Sequence, residues 1–579
     1  MSAPTVKVFL DTLKRQLDQF SADELRSAVL ELARGLEPSE RAAFLAAFAP
    51  TRSPSRKTAR KKNPGKKLLE EIQAFAERVE GGEYADGWGW DHELHDERLF
   101  GDESWLDEAL DYLAAARGLF ADGEWELSRD AAKGVFEAIQ AGFYEGVLPG
   151  EEVLTPPDAA LEEAVYRYLC AVYLAAEPAE RPAALMDGFR TVWGLVSDAR
   201  LEGLLEVSEE ELPGIEAFGE AWIAFLNGAE AGSPMSRLLH EAVRIFRGAG
   251  GLATLARSRG KADPEAYVAW VTCLRHGGDM RDAVDAALEA LGALPRGLSV
   301  RAQLADLLRG AAATLGDGDT VDRARYEAFF GGPTLTRLLC WIEGAADDAE
   351  RELRLAEAAS RIEEIEARRV AQRTPMAMQD QWATSRAEPG LPQYVRLLRG
   401  EYGTVGKTLD KAPPLGWSSS DHPGPLAVPF FLAAACGLGT RGSLGPNLEA
   451  LWSSAAEVPR IYFGITLRDE DRPARSLREH LEESLRISPL GEGSAERFFR
   501  KAEKAALARV HAIVSEKHRK SYDRAARLLM AVADGYRCLG LEGEAEHLVA
   551  RFREHYPRHR AFLAELKTAA NLAAAPAVH

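Results

Sequence analysis

The chain has 579 residues with 46% hydrophobic side chains, which excludes a disordered polymer and supplies core material for several domains or one long array. Its formal charge of -19 argues against a general nucleic-acid binder, because phosphate-seeking contact needs positive charge over the contact surface. The five cysteines, Cys170, Cys273, Cys340, Cys436 and Cys538, stand far apart with no CxxC or CxC pair, so they predict reduced core thiols and no zinc knuckle.

The first residues, MSAPTVKVFLDTLKRQ, lack an apolar signal core with a small-residue cleavage site, and the longest apolar run, Pro425 to Leu438, is too short to cross a bilayer. Together they predict a cytoplasmic protein with no membrane contact. Residues 1–50 predict a small helical module. Val6 to Leu17 is one helix, Ser21 and Glu24 form a capping box opening a second through Leu36, and Pro38 and Ser39 open a third over Arg41 to Phe48. Residues 51–67 follow as a solvated linker, with eight Lys or Arg and no acid over 52 to 67. The alternative for that stretch is an anchor for nucleic acid or an acidic partner.

Residues 68–373 read as a first helical block. Leu68 to about Glu80 is a helix, and the stretch from Gly81 to Trp105, containing GWGWDHELHDERLF, is a packing or surface loop. Asp91, His92, His95 and Asp96 place two imidazoles and two carboxylates within six residues, the side chains that transition metals take. The pattern is not HExxH, since the second histidine comes one residue early and no third ligand stands out, so no metal, cofactor or catalytic residue is assigned. Tyr112, Ala116, Leu119, Gly123, Trp125, Ser128, Ala132 and Val135 then suggest a helix pair. Helices follow over Asp158 to Ala176, Met186 to Leu195, Leu201 to Glu206, Ile215 to Leu226 and Met235 to Phe246, and no strand-like alternation of useful length is expected in this half.

Tyr267 to Pro295 is the most complete unit in the chain. Tyr267, Trp270, Val271 and Leu274 line one helix, Gly278 breaks it, Ala283, Ala287 and Ala290 line a second, and Pro295 stops it. The alanines allow axes to approach within the usual ~8 to 10 Å. Gly278 to Pro295, Gly316 to Pro333 and Gly540 to Pro557 are each 17 residues, with Ala283, Val321 or Ala545 five beyond the glycine. These helix pairs resemble tetratricopeptide-repeat proteins. The resemblance implies an all-α superhelix of helical hairpins that binds a partner protein along a groove.

Residues 348 to 373 predict a charged helix with Glu364 and Arg368 at i, i+4 spacing, ended by Pro375. Residues 374–392, with three prolines and no period, predict a hinge or protease-sensitive loop between two blocks. In the second block, 393–567, Gly400 and Tyr402 repeat the spacing of Gly123 and Trp125. Leu415 to Pro425 then brings in Trp417, Ser418 and His422. Without a GxSxG elbow or an acid partner, this stretch reads as a tight helix-entry loop with an inward Trp rather than a nucleophile site. Between Arg497 and Arg527 stand ten Lys or Arg against Glu503, Glu516 and Asp523, while Phe498, Ala505, Leu507, Val510 and Val514 supply an apolar face. That helix is either a solvated face or a site for RNA, DNA or an acidic protein. Residues 568–579 read as a frayed tail.

The sequence therefore predicts a non-enzymatic interaction scaffold or regulatory adaptor. A regulatory protein of bacterial defence or transcription control, switched when a protease or effector acts at 374–392, is the first alternative; some substrates of CRISPR-associated caspase-like proteases are similar in overall helical build. A metal-dependent enzyme using Asp91, His92, His95 and Asp96 is the second.

Overall fold

The structure is a computed structural model. It describes residues 64–91, 96–150, 159–196, 199–208, 211–371, 387–419, 421–438, 444–457, 461–462, 465–466, 472–491 and 493–574. The 1–50 module and residues 51–63 of the basic stretch lie outside them. The fold is all-α, with two short antiparallel hairpins among the described residues. By compactness the chain divides into Met1–Phe246 and Arg247–His579, and the boundary falls inside helix Pro234–Arg259, beside non-helical Gly248 (φ 60°, ψ -159°). Residues 374–386 of the expected hinge lie outside the described residues; on either side of them, Leu335 and Leu339 before and Leu391 and Val395 after share one buried core. Glu388 N–H donates to Pro333 O at 2.9 Å and helix Leu391–Leu398 begins inside the expected hinge, so its C-terminal end is anchored.

In the first unit, helix Pro64–Glu80 starts four residues before the expected Leu68, because proline lacks only an N–H that a first helical turn leaves unpaired. It buries Ile72, Phe75 and Val79 and packs on helix Trp125–Glu145, which in turn packs on Trp105–Ala121 and Ala159–Ala175. Gly81 to Trp105 is not simply a loop. Strands Ala85–Asp91 and Asp96–Gly101 pair antiparallel, Trp88 opposite Leu99 and Trp90 opposite Glu97, with a bulge next to Gly87 (φ 120°). At Gly101 a Cβ would meet Tyr84 O at 1.9 Å, so only glycine lets the strands close there. Glu108 anchors the hairpin by accepting from Arg78, from Tyr84 Oη at 2.7 Å and from Tyr112 Oη at 2.8 Å. Burial resists the Glu108 charge, but these three donors outweigh it and hold the carboxyl below its usual range. Helix Ile215–Leu226 has the expected bounds.

In the second unit, helices Glu265–Gly277, Met280–Ala293, Val300–Leu315 and Gly318–Gly331 each pack on the next, and the first also packs on the third. Ala283, Ala287 and Ala290 are buried at these contacts, as the central unit requires. One turn closes five helix pairs. Gly123, Gly278, Gly316, Gly400 and Gly540 all have φ between 70° and 87°. In each, the glycine N–H and the next N–H bond back to the helix just ended, as Gly278 to Arg275 O (3.2 Å) and Asp279 to Leu274 O (3.0 Å). Five residues beyond these glycines, Ser128, Ala283, Val405 and Ala545 are buried and Val321 is half-buried. Towards the C-terminus the arrangement changes. Helix Tyr522–Cys538 is buried nearly all round and packs on Pro446–Ala455, Ser494–Ser515, Glu542–His555 and Arg560–Ala574, which makes it the centre of a bundle and not one member of a chain of successive pairs.

Several helix ends are closed by charged side chains from elsewhere. Arg301 Nη1 donates to Leu291 O and Leu294 O, both at 2.6 Å, at the end of Met280–Ala293, and its Nη2 meets Glu327 at 2.6 Å. Arg354 does the same for Trp341 O (2.6 Å), held by Asp322 and Glu350, and Arg361 for Phe330 O (2.9 Å), held by Glu364. At N-termini the sign reverses. Glu241 accepts from Leu201 N–H (2.9 Å) and Glu202 N–H (3.0 Å), Glu388 from Leu335 N–H (2.6 Å) and Asp534 from Asn447 N–H (2.9 Å), while Glu343 accepts from Ala474 N–H (3.0 Å) and Arg475 N–H (2.7 Å) just ahead of helix Leu477–Ile487. Unpaired amides and the positive pole of the helix dipole favour an anion at a helix start, and carbonyls favour a cation at its end. The expected Glu364–Arg368 pair is present at 2.5 Å within helix Asp348–Ala371.

Arg301 is 3% exposed and Glu327 13%. Arg301→Met leaves that carboxylate and two carbonyls without their donor, and the second unit should lose about 3–5 kcal/mol in chemical denaturation. Arg301→Lys should recover little, because an ammonium cannot fork to three acceptors placed for a guanidinium.

Candidate anion-binding groove

Helix Ser494–Ser515 is built with two faces. Phe498, Phe499, Ala502, Ala506, Val510, Ile513 and Val514 recur at helical spacing and are buried, which fixes the rotation of the helix and turns its cations outward. The face expected from the sequence is therefore present, with Phe499, Ala502, Ala506 and Ile513 added to it and with Ala505 and Leu507 at its half-buried edge.

The cations are not alike. Arg500 is held against Tyr536 and Glu503, and Tyr536 is pushed up to about 12 by burial and the Glu503 carboxylate. Lys501 pairs with Asp410 of helix Tyr402–Lys411. Arg497 lies over the Phe498 ring at 5.1 Å and is exposed. Lys504 is exposed and has no ion pair among the described residues. Beside these side chains are two depressions that share Asp410, Lys501 and Lys504. One is open, about 720 Å³, with Arg497, Arg500 and Glu496 on its walls. The other is about 160 Å³ and partly apolar, with Leu409, Pro413, Trp417 and Ala508.

The Trp417 loop forms one wall of the smaller depression. The indole packs inward against Gly424, where a Cβ would lie 2.4 Å from it, and Arg509 covers its ring at 4.5 Å. Burial, then neighbouring Arg524, pulls the Arg509 guanidinium below its usual range. His422 is committed to the backbone: Nδ1 accepts Gly424 N–H at 3.0 Å, so the proton sits on Nε2 and is donated to Pro413 O at 2.9 Å. Ser418 is exposed, and a histidine bound on both nitrogens cannot serve it as a base. The loop enters helix Gly424–Ala435 and carries the Trp inward, as its sequence suggests.

Beyond Ser515 the basic run continues through a turn. Lys517 holds the left-handed position (φ 61°) that glycine holds at Gly278, with the same backward bonds, Lys517 to Val514 O (3.2 Å) and His518 to Ile513 O (3.0 Å). It is the one positive-φ non-glycine among the described residues. Lys517, Arg519 and Lys520 are all exposed there. On the inner side, His511 stacks on Phe552 at 4.5 Å, its Nδ1 is 2.8 Å from Tyr556 Oη, and burial, then His555 and Arg551, holds the imidazole below the ordinary histidine range.

Other candidates are not assembled. Asp91 and Asp96 face each other across the first hairpin by backbone register, while His92 and His95 lie outside the described residues. No group of three or more potential metal ligands occurs among the described residues. In the first unit a hollow of about 280 Å³ beside Trp193 is walled by Arg200, Arg237 and Arg244, but Glu202 pairs with Arg244 at 2.6 Å and Glu241 also lines it. The Cys436 thiol meets Gly535 O at 3.7 Å and has Cys538 as its neighbour, a proximity that 102 residues of separation conceal in the sequence. No helix of the described residues is long and apolar enough to cross a membrane. No protein-family model and no curated protein sequence matches the chain.

Two measurements follow from this helix and its turn. Lys517→Gly removes the left-handed penalty and should stabilise the second unit by about 1 kcal/mol in denaturant midpoint. A histidine whose folded pKa is depressed contributes stability that is present above its unfolded pKa and is lost as pH falls through the folded value. Going from about pH 7.5 to about pH 5.5, the wild type should lose more stability than His511→Asn, as read from paired thermal melts.

Proposed function

We propose that the chain is a non-enzymatic cytoplasmic scaffold of tetratricopeptide-like helix pairs, and that it docks an acidic segment of a partner protein in the groove along Ser494–Ser515. One observation carries this reading: exposed Arg497 and Lys504 flank a hollow whose other cations, Lys501 and Arg500, are already fixed by Asp410, Glu503 and Tyr536. Fixed cations give a defined shape, and the unpaired ones supply charge for a ligand. The apolar second depression, with Leu409, Pro413 and Trp417 on its wall, suits a side-chain anchor of the kind that dominates protein interfaces.

Glu496 and Asp410 beside the groove favour a polypeptide over a nucleic acid. A regular phosphate backbone would meet these carboxylates, whereas a peptide can place its acids between them. The consecutive packing of Glu265–Gly277 through Gly318–Gly331 supports the scaffold part of the proposal, since stacked pairs present long rigid surfaces without a reaction centre.

Affinity capture from the host, with nuclease added, compares wild type with an Arg497→Glu, Lys504→Glu double variant. One stoichiometric protein should be retained by the wild type, and its association rate with the double variant should fall by about tenfold. Retention equal in both proteins overturns the groove assignment. Retention abolished by nuclease assigns the face to nucleic acid instead.

A further inference from the structure

The structure places two thiols at neighbouring helix ends in the C-terminal bundle. Cys436 ends helix Gly424–Ala435 as its C-cap residue, and Cys538 is the last residue of Tyr522–Cys538. The Cys436 thiol donates to Gly535 O at 3.7 Å, one helical turn before Cys538, and Cys538 is the neighbouring group that, after burial, most perturbs it. Cys170, by contrast, bonds to Leu204 O at 3.3 Å. Their exposure differs: Cys436 is 2% exposed and Cys538 half-buried. An oxidant in solvent therefore reaches Cys538 first, with Cys436 directly behind it.

We propose that Cys436 and Cys538 form a reversible disulfide when the protein meets a peroxide. The Cys538 sulfur attacks one peroxide oxygen, the O–O bond breaks, and a sulfenic acid and one water result. The Cys436 sulfur then attacks the sulfenyl sulfur, the S–S bond forms, the S–O bond breaks, and the departing hydroxide takes the Cys436 proton as a second water. The thiol pair loses two electrons and the peroxide gains two. Burial, and then the neighbouring Cys538, pushes the Cys436 thiol up, so Cys436 stays protonated and inert until a sulfenic acid forms beside it. The bond would tie the end of one helix to the end of another across a loop that includes Leu477–Ile487 and Ser494–Ser515, the helix that carries the basic groove.

The full chain is treated with hydrogen peroxide under native conditions, unfolded in an alkylating agent and analysed by peptide mass spectrometry. Alkylatable thiols should fall from five to three, one linked peptide pair containing Cys436 and Cys538 should appear, and a dithiol reductant should restore all five. Cys538→Ser, a change at the half-buried position, should leave Cys436 alkylatable after the same treatment, and Cys436→Ala should leave a sulfenic acid on Cys538 that dimedone traps. Three outcomes overturn the proposal: Cys436 still alkylatable in oxidised wild type, Cys538 paired with a different cysteine, or Cys436 blocked to the same extent in Cys538→Ser.

Discussion

Charged side chains that close the ends of helices they do not belong to set the frame of this protein. A helix leaves about four amides and four carbonyls unpaired at its ends, and burying such an end without partners costs about 1–3 kcal/mol for each unsatisfied group. Many helices here lack a side-chain cap of their own at the N-terminus, among them Leu201–Val207, Leu391–Leu398 and Pro446–Ala455. For Leu201–Val207 and Pro446–Ala455 the carboxylates of Glu241 and Asp534 provide the missing acceptor from another helix, and at C-termini Arg301, Arg354 and Arg361 provide the donor. Each such contact fixes position and direction together, since the amides or carbonyls of a helix end point along its axis.

The same rule explains the electrostatics of buried acids. Glu241 and Glu388 are pushed up by burial despite their amide donors, whereas Glu343 is held down because His480 joins the amides of Arg475 and Ala474. The number and quality of donors decide which way a buried carboxylate moves. On the surface of the second unit the logic reverses. Helix Ser494–Ser515 buries one face, has two outward cations tied to Asp410, Glu503 and Tyr536, and presents Arg497 and Lys504 without such partners. Rigid neighbours around unpaired charge are what a selective docking surface requires, and the capped frame provides the rigidity.

Features whose cause is local were legible in the sequence. Gly278, Gly316 and Gly540 announce left-handed turns because no other residue adopts that conformation without penalty, and their spacing to a following proline marks the second helix. The two faces of Ser494–Ser515 were legible through periodicity, and the Trp417 loop through its Pro and Gly residues. The hairpin at Ala85–Gly101 was not. Gly87 and Gly89 read as loop, and the alternation of Trp88 and Trp90 covers too few residues to outweigh them. The remote caps were invisible for a different reason: Glu343 and Arg475 are 132 residues apart, and no local pattern marks a glutamate as the acceptor for a distant helix. Separation in sequence, 91 residues, likewise hid the tie of Lys501 to Asp410.

Amide hydrogen exchange under native conditions, resolved at single residues, tests this account most directly. Amides in the first turn of a helix ordinarily exchange quickly because they have no partner. The N–H groups of Leu201, Leu335 and Asn447 should instead be protected like those in the middle of their own helices, since each donates to a carboxylate from outside its own helix. Exchange at these three sites as fast as at an uncapped helix start would contradict it.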